Sequence, residues 1–269
     1  MKQIHAAAVI AEGAIIQEGV IIGPNCFVDT GAVIGEGTIL EANVVVGKNV
    51  HIGKRNHLFP NCVVGGYPQI LGLGPDAKIG GLEIGDGNTI REQVTIHPSM
   101  HHDAMTKIGN SNLIMVGVHI GHDCILEDKI VLSNFTQVSG HCKIETGVWL
   151  SGVVLIHQFV SIGKWCYAAG LAGINKDVPP FLIVSGHYPP EVRGINKRGL
   201  LRAGLNEKQQ KAISEAYRRL YRDDKTPLLQ KAKEMSAEKG LDENVVEMIN
   251  AILNSSKHRY GRHLETFRH

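Results

Sequence analysis

Aliphatic residues recur every six positions between Ile114 and Ile156 without a miss: Ile114, Ile120, Leu126, Leu132, Val138, Ile144, Leu150 and Ile156. A strand returns a side chain to one face every two residues, and a helix every three or four. A strict period of six fits neither. It fits a solenoid of short strands and tight corners. Three six-residue faces per coil stack residues eighteen apart, at the ~4.8 Å spacing of paired strands. His122 then lies beneath Gly140 and Gly140 beneath Gln158, with His141 and His157 beside them. Of the four histidines in this stretch, three share one corner on successive coils, and His119 precedes it.

The same frame runs from Ile4 through Ile10, Ile16, Ile22, Val28, Ile34, Leu40, Val46, Ile52 and Leu58 to Val64. Glycines directly after the mark, Gly23, Gly35, Gly47, Gly53 and Gly65, are expected at corners needing positive φ, and Asn43, Asn49 and Asn61 suit the same region. The frame breaks at Gly66–Leu82, a glycine- and proline-rich segment expected to bulge as a loop, and loops on repeat proteins are often binding elements. A second excursion, about His97 to Lys107, carries His101, His102 and Asp103 and rejoins in phase at Ile108. It reads as a solvated or subunit-contacting loop, and no metal site is expected. Pro179 and Pro180 should end the ladder, because proline cannot donate to it.

A connector follows to about Gly204, and then the pattern turns helical. Asn206 is placed to cap a helix with Ala212, Ile213, Ala216, Tyr217 and Leu220 on one face. A second helix holds Leu228, Leu229, Ala232 and Met235, and a third holds Val245, Val246, Ile249, Ile252 and Leu253. The small bundle would cover the open edge of the last coil. The reading is mainly β, with a solenoid over 1–185 (loops near 66–82 and 97–107) and a connector with a C-terminal helical domain over 186–269.

Hydrophobic content of 43% with only 5% aromatics implies a narrow aliphatic core. No apolar run approaches the ~18 residues of a membrane span. The frame already starts at Ile4, which leaves no room for a signal peptide. A cytoplasmic protein is expected, without nucleic acid. All five cysteines (Cys26, Cys62, Cys124, Cys142, Cys166) stand four residues after a mark, where small apolar residues stand elsewhere, so they read as buried reduced thiols. No CxxC spacing suggests zinc. Net charge is +7 over 193–269 and −5 over 1–192, which make up the +2 of the chain. A basic end beside a histidine-rich solenoid suggests an acidic partner.

His119, His122 and Asp123 form the densest titratable cluster. Histidine can act as a base near neutral pH, and a carboxylate can orient it. No serine or cysteine nucleophile has a place in this corner, which favours direct transfer between two bound substrates.

Several segments carry a resemblance: Ile90–His97 (IREQVTIH), Val118–Cys124 (VHIGHDC), Ser139–His141 (SGH), Ile156–Phe159 (IHQF) and Asp177–Pro180 (DVPP). The chain resembles the left-handed parallel β-helix acyltransferases of the hexapeptide-repeat family, and within them those acylating UDP-N-acetylglucosamine at the start of lipid A biosynthesis. The left hand comes from that resemblance. It implies transfer of a 3-hydroxyacyl chain from acyl carrier protein to the sugar 3-hydroxyl, in a homotrimer with sites between subunits. No cofactor is implied beyond the carrier's phosphopantetheine arm. His122 matches the general base, Asp123 its support and Gly140 the oxyanion donor. Gln69, His119, His141, His157 and Gln158 match the substrate groove, Gly170 the position that sets acyl length, and Asn196 and Arg202 the nucleotide-binding connector.

Two departures stand out. Ile70, Leu71 and Gly72 replace an Asp-Leu-Lys run of the family, whose spacing returns only at Asp76 and Lys78. Arg198 stands for a nucleotide-contacting acid and Ala203 for one of two adjacent arginines. These departures motivate one alternative, N-acylation of an amino or diamino nucleotide sugar. A more distant alternative is a zinc-dependent β-helical carbonic anhydrase.

Overall fold

The computed structural model describes residues 2–74, 76–222 and 225–267. Three sheets of eleven, nine and eight strands form the faces of a prism, wound as a left-handed parallel β-helix. Nearly every strand is two residues long, and partners are eighteen apart, as in Gln3↔Ile21, Val9↔Phe27 and His119↔Gln137. One residue of each pair points inward. The eight marks from Ile114 to Ile156 are each at most 2% exposed, and full burial of such a side chain contributes about 1.5–3 kcal/mol. Aliphatic columns running the length of the prism therefore hold the coils in register. The five cysteines are free and buried among them. Burial pushes the Cys62 and Cys166 thiols up to about 12.

The corners correct one expectation. Of the glycines after the mark, Gly65 supplies positive φ, but Gly23, Gly35, Gly47 and Gly53 do not; they permit close stacking. A Cβ on Gly35 would lie 2.3 Å from the Gly53 carbonyl oxygen. The left-handed conformation falls three residues after the mark, as at Asn43, Asn49 and Asn61. It recurs at Asp123, Lys129, Phe135, His141, Gly147, Val153, Phe159, Trp165 and Leu171. Outside glycine and asparagine this geometry costs of order 1 kcal/mol or more. It persists because both flanking strands are locked into their ladders. Asp123 and His141 thus occupy the same corner position on successive coils.

Both excursions leave the prism at that same corner. One lies between the strands Val63–Val64 and Gly81–Ile84, and the other between Thr95–Ile96 and Met105–Ile108. Partners across the first are 32 apart (Val50↔Leu82) and across the second 24 apart (Thr95↔His119). The first ends slightly earlier than the repeat suggests, since Gly81 already pairs with Met105.

The ladder also outlasts Pro180. Leu182–Ser185 pairs in parallel with Tyr167–Ala168, and Glu191–Ile195 folds back antiparallel on Leu182–Ser185. The prolines precede the new strand rather than sit within it, so its donors survive. The connector contains a short helix α1 (Lys197–Arg202), capped by Asn196. Three longer helices follow: α2 (Glu207–Tyr221), α3 (Leu228–Ser236) and α4 (Glu243–Ser255). Asn206 and Gln209 form a capping box at α2. In α4 the inward face is Val245, Met248, Ile249 and Ile252; Val246 is exposed, because the helical period turns it outward. The bundle meets the hairpin strand Glu191–Ile195 through α2. Asp177 ties the last coil to the end of the chain: Ser161 N–H donates to its Oδ1, and His263 N–H and Nδ1 contact its Oδ2 at 2.8 and 2.7 Å. No helix among the described residues is long and apolar enough to cross a membrane.

Candidate active site

His122 and Asp123 stand at the shared corner, just after the strand His119–Ile120. His122 Nδ1 is 2.7 Å from Asp123 Oδ2. An ionised carboxylate only accepts, so Nδ1 carries a proton, and in the neutral ring Nε2 then keeps its lone pair. The second excursion braces the carboxylate, with Ser99 Oγ donating to Oδ1 and Met100 N–H to Oδ2 at 3.2 Å. Asp123 N–H in turn donates to Thr106 Oγ1 at 2.8 Å. Burial alone would raise the Asp123 pKa, but the hydrogen bonds from His122, Ser99 and Met100, with His141 nearby, hold it below the usual range.

The free edge of the His122 ring lies against Gly140. A Cβ on Gly140 would be 2.6 Å from both His122 Cε1 and Nε2, so only glycine leaves room for the ring. Among the described residues no backbone hydrogen bond uses the Gly140 N–H, although its carbonyl accepts from Phe159. A cavity of about 240 Å³ opens here, lined by Gln69, His97, His119, Gly121, His122, Ser139, Gly140 and Gln158. It contains five residues expected from the sequence: Gln69, His119, His122, Gly140 and Gln158.

His119 shares a hydrogen bond with Thr95 Oγ1 at 3.0 Å. Burial, with His97 and His122 adding to it, lowers its pKa to about 4. His97 was not singled out from the sequence. Its Nδ1 is 2.9 Å from both the Gly66 and the Tyr67 carbonyls, so it donates there and anchors the base of the first excursion. Its Nε2 is buried without a partner. Burial holds its pKa low as well, so both rings present neutral nitrogens. The sequence signals for His97 are its place where the frame breaks and its position at the end of the Ile90–His97 segment that carries the resemblance.

The remaining expected residues lie around this centre. His141 also approaches Asp123, with Nε2 3.9 Å from Oδ2, and its ring meets the His122 ring edge to face at 4.9 Å and stacks on Phe159 at 4.5 Å. His157 lies outside the cavity lining, its Nδ1 donating to the Gln158 carbonyl at 3.1 Å. Gly170 is exposed, and a Cβ there would approach the Gly152 carbonyl oxygen at 3.4 Å. Asn196 is buried with both ends of its amide engaged, donating to the Trp165 carbonyl and capping Gly199 N–H. It therefore holds α1 in place. Arg202 lies 5.0 Å above the Trp149 ring. Asn196, Arg198 and Arg202 line a separate cavity of about 560 Å³ with Trp149, Ser151, Tyr167 and Leu201. Asp76 and Lys78 are exposed and line neither cavity.

A coiled prism with a carboxylate-braced histidine at one corner, facing a glycine on the next coil, defines the class of hexapeptide-repeat acyltransferases. Residues 177–261 match the second domain described for UDP N-acetylglucosamine O-acyltransferase. The acyl-[acyl-carrier-protein]–UDP-N-acetylglucosamine O-acyltransferase of Aliarcobacter butzleri is 40% identical over 259 residues, covering 96% of this chain and 97% of that one. Among solved structures, the UDP-N-acetylglucosamine acyltransferase of Francisella novicida superposes with a TM-score of 0.87 at 36% identity, covering 96% of this chain and 93% of its own. That of Campylobacter jejuni superposes at 0.86 and 31%, covering 93% and 96%. The chain belongs to the UDP-N-acetylglucosamine O-acyltransferase family.

Proposed function

We propose that this protein transfers a 3-hydroxyacyl chain from acyl carrier protein to the 3-hydroxyl of UDP-N-acetylglucosamine, the first step of lipid A biosynthesis. The observation that carries the proposal is the His122–Asp123 pair, whose free ring edge faces Gly140 in a polar cavity. Full-length similarity to relatives named for this reaction supports it.

In the proposed step, His122 Nε2 takes the proton of the sugar hydroxyl as that oxygen attacks the thioester carbonyl. A C–O bond forms and the carbonyl π electrons move to oxygen. Asp123 stabilises the imidazolium through the Nδ1–H bond. The Gly140 N–H donates to the developing oxyanion, an interaction worth ~3 kcal/mol in comparable sites. Collapse breaks the C–S bond, and His122 returns its proton to the departing thiolate of the phosphopantetheine arm. No covalent enzyme intermediate is needed. His97 lines the cavity and its Nε2 is a buried acceptor without a partner, which suits a sugar hydroxyl, with His119, Gln69 and Gln158 as further contacts. The 560 Å³ cavity with Arg198 and Arg202 supplies cations for the nucleotide phosphates or room for the acyl chain. His141, His157 and Gly170 complete the proposed acyl and sugar groove.

The acidic carrier would dock on a basic cavity of about 680 Å³ between the hairpin and α2, lined in part by Arg193, Lys197, Arg218 and Arg222. Arg193 is paired with Glu191, and the nearby Arg219 on α2 with Glu238, which leaves both less available. We assign a homotrimer to the working form. Outward-facing Val9, Ile15, Ile21 and Phe27 are exposed on the N-terminal coils, and such surface suits subunit packing. A monomer mass by light scattering at assay concentration would contradict the trimer.

Mass spectrometry of products from defined acyl carrier proteins and a set of UDP-sugars tests the reaction. An ester on UDP-N-acetylglucosamine is expected. An amide on an amino or diamino sugar, with no ester formed, would overturn the acceptor and point to the altered segment after Gln69.

A further inference from the structure

Asp123 pairs with His122, which lines the 240 Å³ cavity. Asp123 also lines a smaller cavity of about 190 Å³ with His141, Ile125, Cys142, Lys143 and Phe159, and the His141 ring meets the His122 ring edge to face at 4.9 Å. The second excursion leaves from the same corner, and this brings His101 close to both His141 and Asp123. One ring nitrogen each from His101 and His141 and one carboxylate oxygen of Asp123 lie within 4.8 Å of one another. The rings of His101 and His141 are 6.0 Å apart between centroids. Among the described residues, no hydrogen bond uses a ring nitrogen of His101, and those of His141 have only the 3.9 Å approach to Asp123. The reaction proposed above has no task for His101.

Two imidazole nitrogens and a carboxylate oxygen, with a fourth direction open, form the donor set of many three-ligand zinc sites. Zinc bonds of ~2.0–2.1 Å would bring tetrahedral ligand atoms to about 3.3 Å apart. Closing the trio therefore takes movements of order 1 Å, which an exposed loop histidine can make while Asp123 stays braced by Ser99. We infer that His101, Asp123 and His141 bind a divalent transition cation, zinc above all, and that binding switches the His122–Asp123 pair off. Magnesium and calcium prefer all-oxygen shells and should not substitute.

The switch follows from which atom is shared. Asp123 Oδ2 accepts the His122 Nδ1–H bond and is also the oxygen nearest His141. A cation there draws electron density out of the carboxylate. The carboxylate then accepts more weakly from His122, and Nε2 becomes a poorer base. The cation acts through the basicity of His122, so its main effect should be a fall in kcat.

The inhibitory half of this inference rests on the proposed reaction; the binding half does not. Chelator-stripped protein should be titrated with zinc against a chromophoric competitor, for the parent and for His101→Ala. One zinc per chain is expected in the parent, with affinity ~10–100-fold weaker in the variant. In acyl transfer, zinc should lower parent kcat, EDTA should restore it, and His101→Ala should keep the zinc-free rate while resisting zinc. No binding by the parent or equal affinity in the variant would overturn the site, and inhibition purely competitive with the acceptor, with kcat unchanged, would overturn the switch. If the parent acylates no sugar at all, the reaction has failed, and the zinc titration alone decides the site.

Discussion

Replacing His122 by alanine removes the group proposed to take the hydroxyl proton, and the structure sets the size of each consequence. The side chain is only 16% exposed, yet it lies at a corner and not on an aliphatic column. Its loss enlarges a polar cavity that is already open, so no dry void forms, and stability should change by less than ~1 kcal/mol. Asp123 keeps its bonds from Ser99 and Met100 and stays near His141, so the carboxylate is not orphaned. Loss of a positioned base costs ~10²–10⁴ in rate, or about 3–5 kcal/mol on the barrier. Because proton transfer belongs to the transition state, kcat should fall while KM for the UDP-sugar moves little. Steady-state kinetics on folded protein with the parent's oligomeric mass, checked by circular dichroism and light scattering, gives the answer. A variant that keeps more than about a tenth of the parent kcat, less than the smallest expected loss, would refute the assignment and shift suspicion to His119 and His97.

Three further outcomes are expected. Gly140→Ala puts a methyl group 2.6 Å from the His122 ring; kcat should fall by ~10-fold or more as the base is displaced, with little change in melting temperature, and an unaltered rate would separate Gly140 from the chemistry. His119 has a folded pKa of about 4, below its ordinary 6.5, so the native state disfavours its protonation. Its stabilising contribution is complete above 6.5 and is lost as pH falls toward 4. Denaturant titrations across that window should show His119→Gln losing less stability than the parent, and parallel curves would contradict the assignment. Arg218→Glu with Arg222→Glu should raise KM for the acyl carrier and leave KM for the sugar alone, an effect that shrinks as salt screens exposed charges over ~8–10 Å; an unchanged carrier KM would move docking away from α2.

The period of six was sufficient to read the solenoid, because each mark is a local statement about which side chain faces inward. It also placed His122 beneath Gly140, and Gly140 beneath Gln158, by counting alone, since paired strands fix the stacking. Asn206 announced α2 through capping chemistry that acts within four residues. The rest depended on contacts between distant parts of the chain. Counting could not show that both excursions emerge at the histidine corner, where they place Gln69 and His97 in the cavity beside His122, and Ser99 and His101 against Asp123. It also missed that the post-mark glycines serve stacking, because whether a missing Cβ meets a neighbour or relieves φ depends on the coil above. Pro180 looked like an end because proline acts locally, while the hairpin beyond it is held by Tyr167 and Ala168 from the preceding coil. Local periodicity sets the frame of this protein; the long-range return of two loops to one corner, which no short window of sequence encodes, builds the site.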